Sequence, residues 1–396
     1  MQFTDFNQLD LSRLPSPCFV VDEVAIKRNL GILNEVQERS GAKVLHALKA
    51  FSLWHLAPLT TQYLSGTCSS GLYEAKLAQE FYHGEIHVYS AGFSDTDLSE
   101  LLTFSDHIVF NSLSQLLRFE TKCRETLKIR PNIKFGLRIN PEHSETDVDI
   151  YNPCAVGSRL GITYDQLTNQ LQQTKFHQAF ELISGLHFHT LCEQEFLPLQ
   201  RTLYVIERKF AQWLPQLEWL NFGGGHHITR PGYDIEALIN CIKSISKKYR
   251  LQVYLEPGEA VALGSGILTS EVLDIAFNAL PQAILDTSAT CHIPDTLEMP
   301  YRPHISNSGL PNEKQYTFRL GGLTCLAGDI INDYSFDSPL EVGQRLIFED
   351  MAHYTMVKTT MFNGTQLPAI AIWNSDTNKL DLIREFDYSD FRDRLS

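Results

Sequence analysis

The run Ala42-Lys43-Val44-Leu45-His46-Ala47-Leu48-Lys49-Ala50 decides how the rest of the chain is read. It is short, mostly apolar, and closes on a single amine, which is the pattern of a buried strand with a lysine at its end. A lysine there sits at the edge of a core, where desolvation disfavours its charged form. A neutral lysine amine is a nucleophile that condenses with aldehydes. Taken alone, the same residue reads first as an ordinary surface lysine that snorkels out of a strand.

Outward from this run the pattern repeats. Before it, Asp22 precedes Ile26, Leu30, Leu33 and Val36 at helical spacing, so a helix is expected from an Asp22 cap to Gly41. After it come strand-like runs at residues 66–69, 86–91, 107–111, 134–140, 182–190, 217–225 and 252–258. Helix-like stretches lie between them at 56–64, 73–81, 113–126, 164–173, 196–213 and 234–249. With the Lys49 strand, these runs make eight strands alternating with helices, which implies parallel pairing. The expected fold class is α/β, a (β/α)8 TIM barrel; a doubly wound open sheet is the competitor. The barrel is preferred because the polar candidates below stand at strand C-termini, which converge on one mouth only in a barrel. After Gly258, short strand-like runs at 267–275, 282–286, 316–321, 345–348 and 369–373 are separated by Gly, Pro, Asn and Asp. That predicts a second, mostly β domain. The expected division is a barrel over 23–262 and a β-rich domain over 263–396 that includes residues 1–22.

Composition narrows the function. The 396 residues are 43% hydrophobic and carry 47 acidic against 33 basic side chains, a formal net charge of −14. That balance argues against nucleic acid and anionic membranes and suits a cationic small molecule. The eight cysteines, at 18, 68, 123, 154, 192, 241, 291 and 325, form no C-x-x-C pair. They read as reduced thiols, and no structural metal is expected. Residues 1–10 contain no basic and apolar leader, and no apolar run approaches the ~18–20 residues of a membrane span. A cytoplasmic protein is expected.

Three motifs close later strands. His187-Phe188-His189 ends the sixth, and alternation points both imidazoles to one side. Gly223-Gly224-Gly225 ends the seventh, where backbone N–H groups can form a nest for a phosphate. Glu256-Pro257-Gly258-Glu259 ends the eighth and offers a carboxylate to a protonated ring nitrogen. Each alone reads as a turn or a satisfied core residue. Together with Lys49 they supply an aldehyde-binding amine, a ring cover, a phosphate cradle and a ring-nitrogen partner, the groups that pyridoxal 5'-phosphate requires.

Between about Pro15 and Gly364 the chain resembles the fold-type III pyridoxal phosphate decarboxylases, which include the ornithine, diaminopimelate and carboxynorspermidine decarboxylases. Alanine racemase is a more distant relative. The resemblance implies that Lys49 carries the cofactor, that His189 stacks on its ring, and that Gly223, Gly224, Gly225, Glu256, Gly258 and Tyr354 bind it. Cys325 and Asp329 match a Cys-x-x-x-Asp segment that reaches the partner's site, which implies a homodimer with shared active sites. Cys325 is then the candidate proton donor, and Asp329 is expected near the substrate.

The departures choose a branch. Glu259 stands where ornithine and diaminopimelate decarboxylases keep an arginine, and Leu326 stands where they keep an acid. Leu191-Cys192 replaces their Gly-Ser and is followed by Glu193-Gln194. The run from His187 to Gln194, with Glu-Pro-Gly-Glu, is similar to the carboxynorspermidine decarboxylase branch. It implies decarboxylation of carboxynorspermidine or carboxyspermidine, with Glu193 and Glu259 receiving the ammonium groups of the tail. The alternatives are a diaminopimelate or other basic amino acid decarboxylase, and a non-catalytic pyridoxal phosphate-binding protein.

Overall fold

The protein is described by a computed structural model covering residues 4–146 and 148–396. Eight parallel strands close on themselves: β1 (Lys43–Ala47), β2 (Gly66–Ser69), β3 (Glu85–Tyr89), β4 (His107–Phe110), β5 (Lys134–Asn140), β6 (Ile183–His187), β7 (Trp219–Asn221) and β8 (Gln252–Leu255). Each pairs with the next, and β8 returns to β1 with Leu255 opposite Val44. The fold is the (β/α)8 barrel expected from the alternation. A two-residue strand, Ile162–Thr163, adds to the side of β5.

The interior is filled by side chains, with Leu45, Val109, Trp219 and Tyr254 forming one buried cluster. Trp219 dictates two glycines. A Cβ on Gly185 would lie 1.9 Å from its indole, and one on Gly136 2.3 Å from it. The Asp22 cap is present: its Oδ1 accepts from Val24 N–H at 3.1 Å, and the helix runs Glu23–Ser40.

Two expectations shift. The runs expected to be strands over 182–190 and 217–225 stop at His187 and Asn221; the residues beyond are loop. They looked strand-like because they are apolar and buried, Phe188 and Phe222 being fully covered. Helices Asp95–Phe104 and Thr174–Phe180 were not anticipated. The first opens on an acidic turn capped by Ser94, whose Oγ accepts from Asp97 N–H. That opening is polar enough to pass for a loop.

The second unit is one eight-stranded sheet. Its path runs Ile330–Phe336, Tyr316–Gly321, Leu280–Leu285, Gly266–Asn278, Cys18–Asp22, Ala369–Asn374, Lys379–Arg384, with Arg345–Glu349 also paired to Gly266–Asn278. Cys18–Asp22 lies inside the sheet, antiparallel to one neighbour and parallel to the other, and every one of its residues is buried. By internal contacts the chain divides into Lys27–Val261 and Met1–Ile26 with Ala262–Ser396. The first three of the N-terminal residues assigned to the β-rich domain lie outside the described residues. Among the described residues, no helix is long and apolar enough to cross a membrane.

Candidate active site

The C-terminal ends of the barrel strands carry the polar groups. Lys49 lies two residues beyond β1, in a turn, and its side chain is exposed. The expectation of a desolvated amine at a core edge is therefore corrected: β1 ends at Ala47, and the turn lifts Lys49 clear of the packed strand. That end is tied to the loop after β8, because Ala47 N–H donates to Pro257 O at 2.9 Å.

Glu256 is the buried anion of the mouth, 9% exposed. Oε1 accepts from Asn221 Nδ2 at 2.7 Å, and His187 Nε2 lies 3.3 Å from Oε2. Burial pulls its carboxyl up, but the charge and contact of His187, then His87 and Asn221, outweigh it and hold the group at about 2. Glu256 is therefore an ionised carboxylate. Burial lowers His187, opposed by the adjoining Glu256 carboxylate, and its Nδ1 makes no hydrogen bond. Asn221 also orders the next turn, its Oδ1 accepting from Gly223 N–H at 2.8 Å.

The glycine run has no room for side chains. A Cβ on Gly224 would stand 2.2 Å from Glu256 O, and one on Gly225, whose φ is +82°, would stand 2.0 Å from Leu191 O. Gly224 N–H donates to His189 Nδ1 at 3.1 Å, which fixes the ring beside the turn. Burial, then Lys49 and Arg138, push the His189 imidazole well below its ordinary value, so it is neutral. Arg138, from β5, donates to His189 O at 3.3 Å and lies over the Tyr89 ring at 4.5 Å.

A second acidic group occupies the same mouth. Ligand atoms of Glu193, His227 and Glu259 lie within 4.8 Å of one another. His227 Nε2 is 3.2 Å from Glu259 Oε1, so Glu259 has a partner within the protein. The thiol of the half-buried Cys192 is pushed up to about 11 by burial and then by Glu193 and Glu259, with Lys49 opposing.

Glu74 was missed in the sequence. Burial raises its carboxyl, opposed by Ser70 N–H, which donates to Oε2 at 2.6 Å, and by the charge of Lys49. Its signal was positional: an acid just past the end of β2, at the same rim as Lys49. Asn221 and Arg138 were missed for a similar reason, since each looks like strand sequence until the barrel closes.

The second unit carries Cys325, exposed in the loop between Tyr316–Gly321 and Ile330–Phe336. Asp329, at the other end of that loop, is 3% exposed and hydrogen-bonded within the unit. Tyr354 is half-buried, with a left-handed φ of 50° that is rare for an aromatic residue.

The residues of the barrel mouth fit pyridoxal phosphate. An orphaned Nδ1 on His187, an ionised carboxylate in a buried setting, a turn that excludes every side chain and an exposed lysine meet at one rim.

The profile of the family described as pyridoxal-dependent decarboxylase, C-terminal sheet domain, matches residues 18–352. The carboxyaminopropylagmatine decarboxylase of Synechocystis sp. is 45% identical over 387 residues, 97% of this chain and 96% of the relative. The carboxynorspermidine/carboxyspermidine decarboxylase of Campylobacter jejuni is 42% identical over 390 residues, 96% and 98%. The crystal structure of carboxynorspermidine decarboxylase from Campylobacter jejuni, complexed with norspermidine, superposes with a TM-score of 0.85 at 40% identity, covering 96% of this chain and all of that one.

Proposed function

Because the chain belongs to the pyridoxal-dependent decarboxylases, we propose that it converts carboxynorspermidine or carboxyspermidine to norspermidine or spermidine, in polyamine biosynthesis. The observation that carries this reading is the acidic group Glu193–His227–Glu259 at the same mouth as Lys49 and Glu256. Two carboxylates there suit a polyamine tail that bears more than one ammonium group, whereas an amino acid such as ornithine brings a single distal cation.

By the resemblance, Lys49, His189, the Gly223–Gly225 turn, Gly258 and Tyr354 would hold pyridoxal phosphate, which would supply an electron sink for the pair left when carbon dioxide departs. Glu256 would keep a positive charge on the ring nitrogen of the bound cofactor, and Asn221 keeps Glu256 aimed. His189 covers the ring as a neutral imidazole. Cys325 gives its thiol proton to the carbon that lost the carboxylate, leaving a thiolate that solvent reprotonates. The match of Cys325 and Asp329 to the family segment that reaches a partner's site supports a homodimer as the working form, and the exposed Cys325 is then free to complete the partner's site. The eight free thiols suit a cytoplasmic protein.

The Synechocystis relative supports a second reading. Its name specifies an agmatine tail, which ends in a guanidinium, and two carboxylates can also receive that planar fork. Carbon dioxide release by purified protein decides between them, using carboxynorspermidine, carboxyspermidine, carboxyaminopropylagmatine, diaminopimelate, ornithine and arginine. The first two should give the highest kcat/KM. A tenfold or larger preference (about 1.4 kcal/mol) for carboxyaminopropylagmatine would move the assignment to the second reading. Release only from the amino acids would end both. Mixing Lys49→Ala with Cys325→Ala protein should recover up to about a quarter of wild-type activity, because half of the randomly formed dimers hold one intact site of two. No recovery under demonstrated subunit exchange would remove the shared site.

A further inference from the structure

We propose that Asp329 is the positioning residue of Cys325: its buried carboxylate, with Asn363 as a second latch, fixes the loop that presents the thiol. This rests on the reading of Cys325 as proton donor.

The loop is an exposed arch. Leu323, Cys325, Leu326, Ala327 and Gly328 are all exposed, while Asp329 at its base is 3% exposed. Such an arch samples many conformations unless it is tied down. Asp329 ties it from beneath. Oδ2 accepts from Thr324 Oγ1 at 2.6 Å, Thr324 N–H at 3.2 Å and Ser288 Oγ at 2.9 Å, and Oδ1 accepts from Thr290 N–H at 3.3 Å. Two of these donors belong to the residue before Cys325, and two to a buried turn of the sheet domain. The carboxylate thus clamps the arch to the body of its unit.

That turn is itself fixed. Ser288 Oγ accepts from Cys291 N–H, Ser288 N–H donates to His292 Nδ1, and His292 Nε2 lies 2.9 Å from Gln366 O. The clamp also explains a glycine: a Cβ on Gly322 would lie 2.4 Å from Asp329 Oδ2.

The second latch acts on Cys325. Its backbone N–H donates to Asn363 Oδ1 at 2.9 Å. Asn363 has a φ of 58°, a conformation that asparagine tolerates and β-branched residues do not. With its backbone on Asn363 and the preceding residue on Asp329, Cys325 is left little freedom beyond its own χ1. A proton donor needs that restriction, because misplacement of about 1 Å lowers a rate by roughly a hundredfold. The donors to Asp329 are hydroxyls and amides of its own unit, and both carboxylate oxygens are engaged. It therefore serves the substrate through Cys325.

The test uses the holoenzyme in D2O. A positioned thiol places one deuteron on the product carbon in a single configuration; an unpositioned one gives both. Asp329→Asn keeps the shape and loses the carboxylate. It should lower kcat roughly tenfold to a hundredfold, leave KM within about twofold, and mix the configurations. Amide exchange over residues 322–330 should quicken, in cofactor-free and loaded protein alike. Asn363→Gly keeps the backbone conformation and removes only the acceptor, so it tests the same point should Asp329→Asn fold poorly. Asn363→Asp should restore both rate and configuration. Cys325→Ala should lose rate and configuration while exchange over the loop stays as in wild type. The proposal is overturned if Asp329→Asn and Asn363→Gly keep wild-type kcat and a single configuration while Cys325→Ala loses both. If Cys325→Ala keeps both, the reading of Cys325 as donor fails first, and the positioning role with it.

Discussion

The barrel contains one glutamate and two histidines at each end, with opposite outcomes. At the mouth are Glu256, His187 and His189; at the floor are Glu85, His87 and His107; each set brings its ligand atoms within 4.8 Å of one another. At the floor, Glu85 already pairs with the Lys43 ammonium and lies 3.0 Å from His87 Nε2. His87 and His107 stack at 3.8 Å, only 13° from parallel, with Tyr254 and Trp219 against them. Parallel stacked rings cannot aim two lone pairs at one ion, so the floor set is closed packing. At the mouth, His187 and His189 meet edge to face at 86°, the glycine turn packs its bare backbone beside them, and the nearby cation, Lys49, is exposed. A charged cluster becomes a site when its geometry leaves work undone.

Breaking the cation at each end gives the largest contrast. Lys49→Ala should lose the visible absorbance of bound cofactor and lower kcat/KM by roughly a thousandfold or more, whereas Lys43→Ala should stay within about threefold of wild type. Borohydride treatment and peptide mass mapping of wild type should place the cofactor on Lys49. Finding it on another lysine would overturn the assignment.

The carboxylates come next. Glu256→Gln removes the charge beside the ring nitrogen and should lower kcat by roughly a hundredfold with little change in Tm. Glu85→Gln should do the reverse, with kcat unchanged and stability down by roughly 1 kcal/mol. Equal effects on kcat would erase the distinction between mouth and floor.

Within the mouth, Glu259→Gln should raise KM for the carboxypolyamine by a factor corresponding to about 2 kcal/mol, the low end for a desolvated charge pair, with kcat little changed. Wild-type KM should rise with salt. A KM within twofold together with a fallen kcat would mean that His227 is the whole of Glu259's business and that Glu193 holds the tail.

The smallest effect is a pH window at the floor. Burial raises Glu85, but hydrogen bonds from His87 and Lys43 hold it at about 2 against an ordinary 4.5. Its contribution is therefore present above about 4.5 and is lost as pH falls toward about 2. Urea midpoints between about pH 5 and pH 3 should fall less steeply in Glu85→Gln than in wild type. Parallel slopes would show that Glu85 is not held down.

Much of this was open to reading from the residues. Strand-helix alternation carries the barrel because a parallel strand buried on both faces must be apolar along its length. The Lys49, Gly-Gly-Gly and Glu-Pro-Gly motifs are local and survive without coordinates. Cys18–Asp22 was not legible as a strand, because its partners, Thr269 and Ala369, are far away in sequence. Glu74 and Asn221 were invisible for the same reason, since a strand end becomes a rim position only once eight strands close.

By itself, then, the sequence carried the strand-helix alternation of the barrel and the motifs at its strand ends, and by resemblance it set Glu259 apart from the arginine of ornithine and diaminopimelate decarboxylases. Tertiary structure alone decided which of two Glu-His-His sets is available, that Lys49 stands exposed in a turn, that Glu259 shares its charge with His227, and that Asp329 is spent inside its own unit. Those four facts depend on pair distances and on burial, and both arise when residues far apart in the chain are brought together.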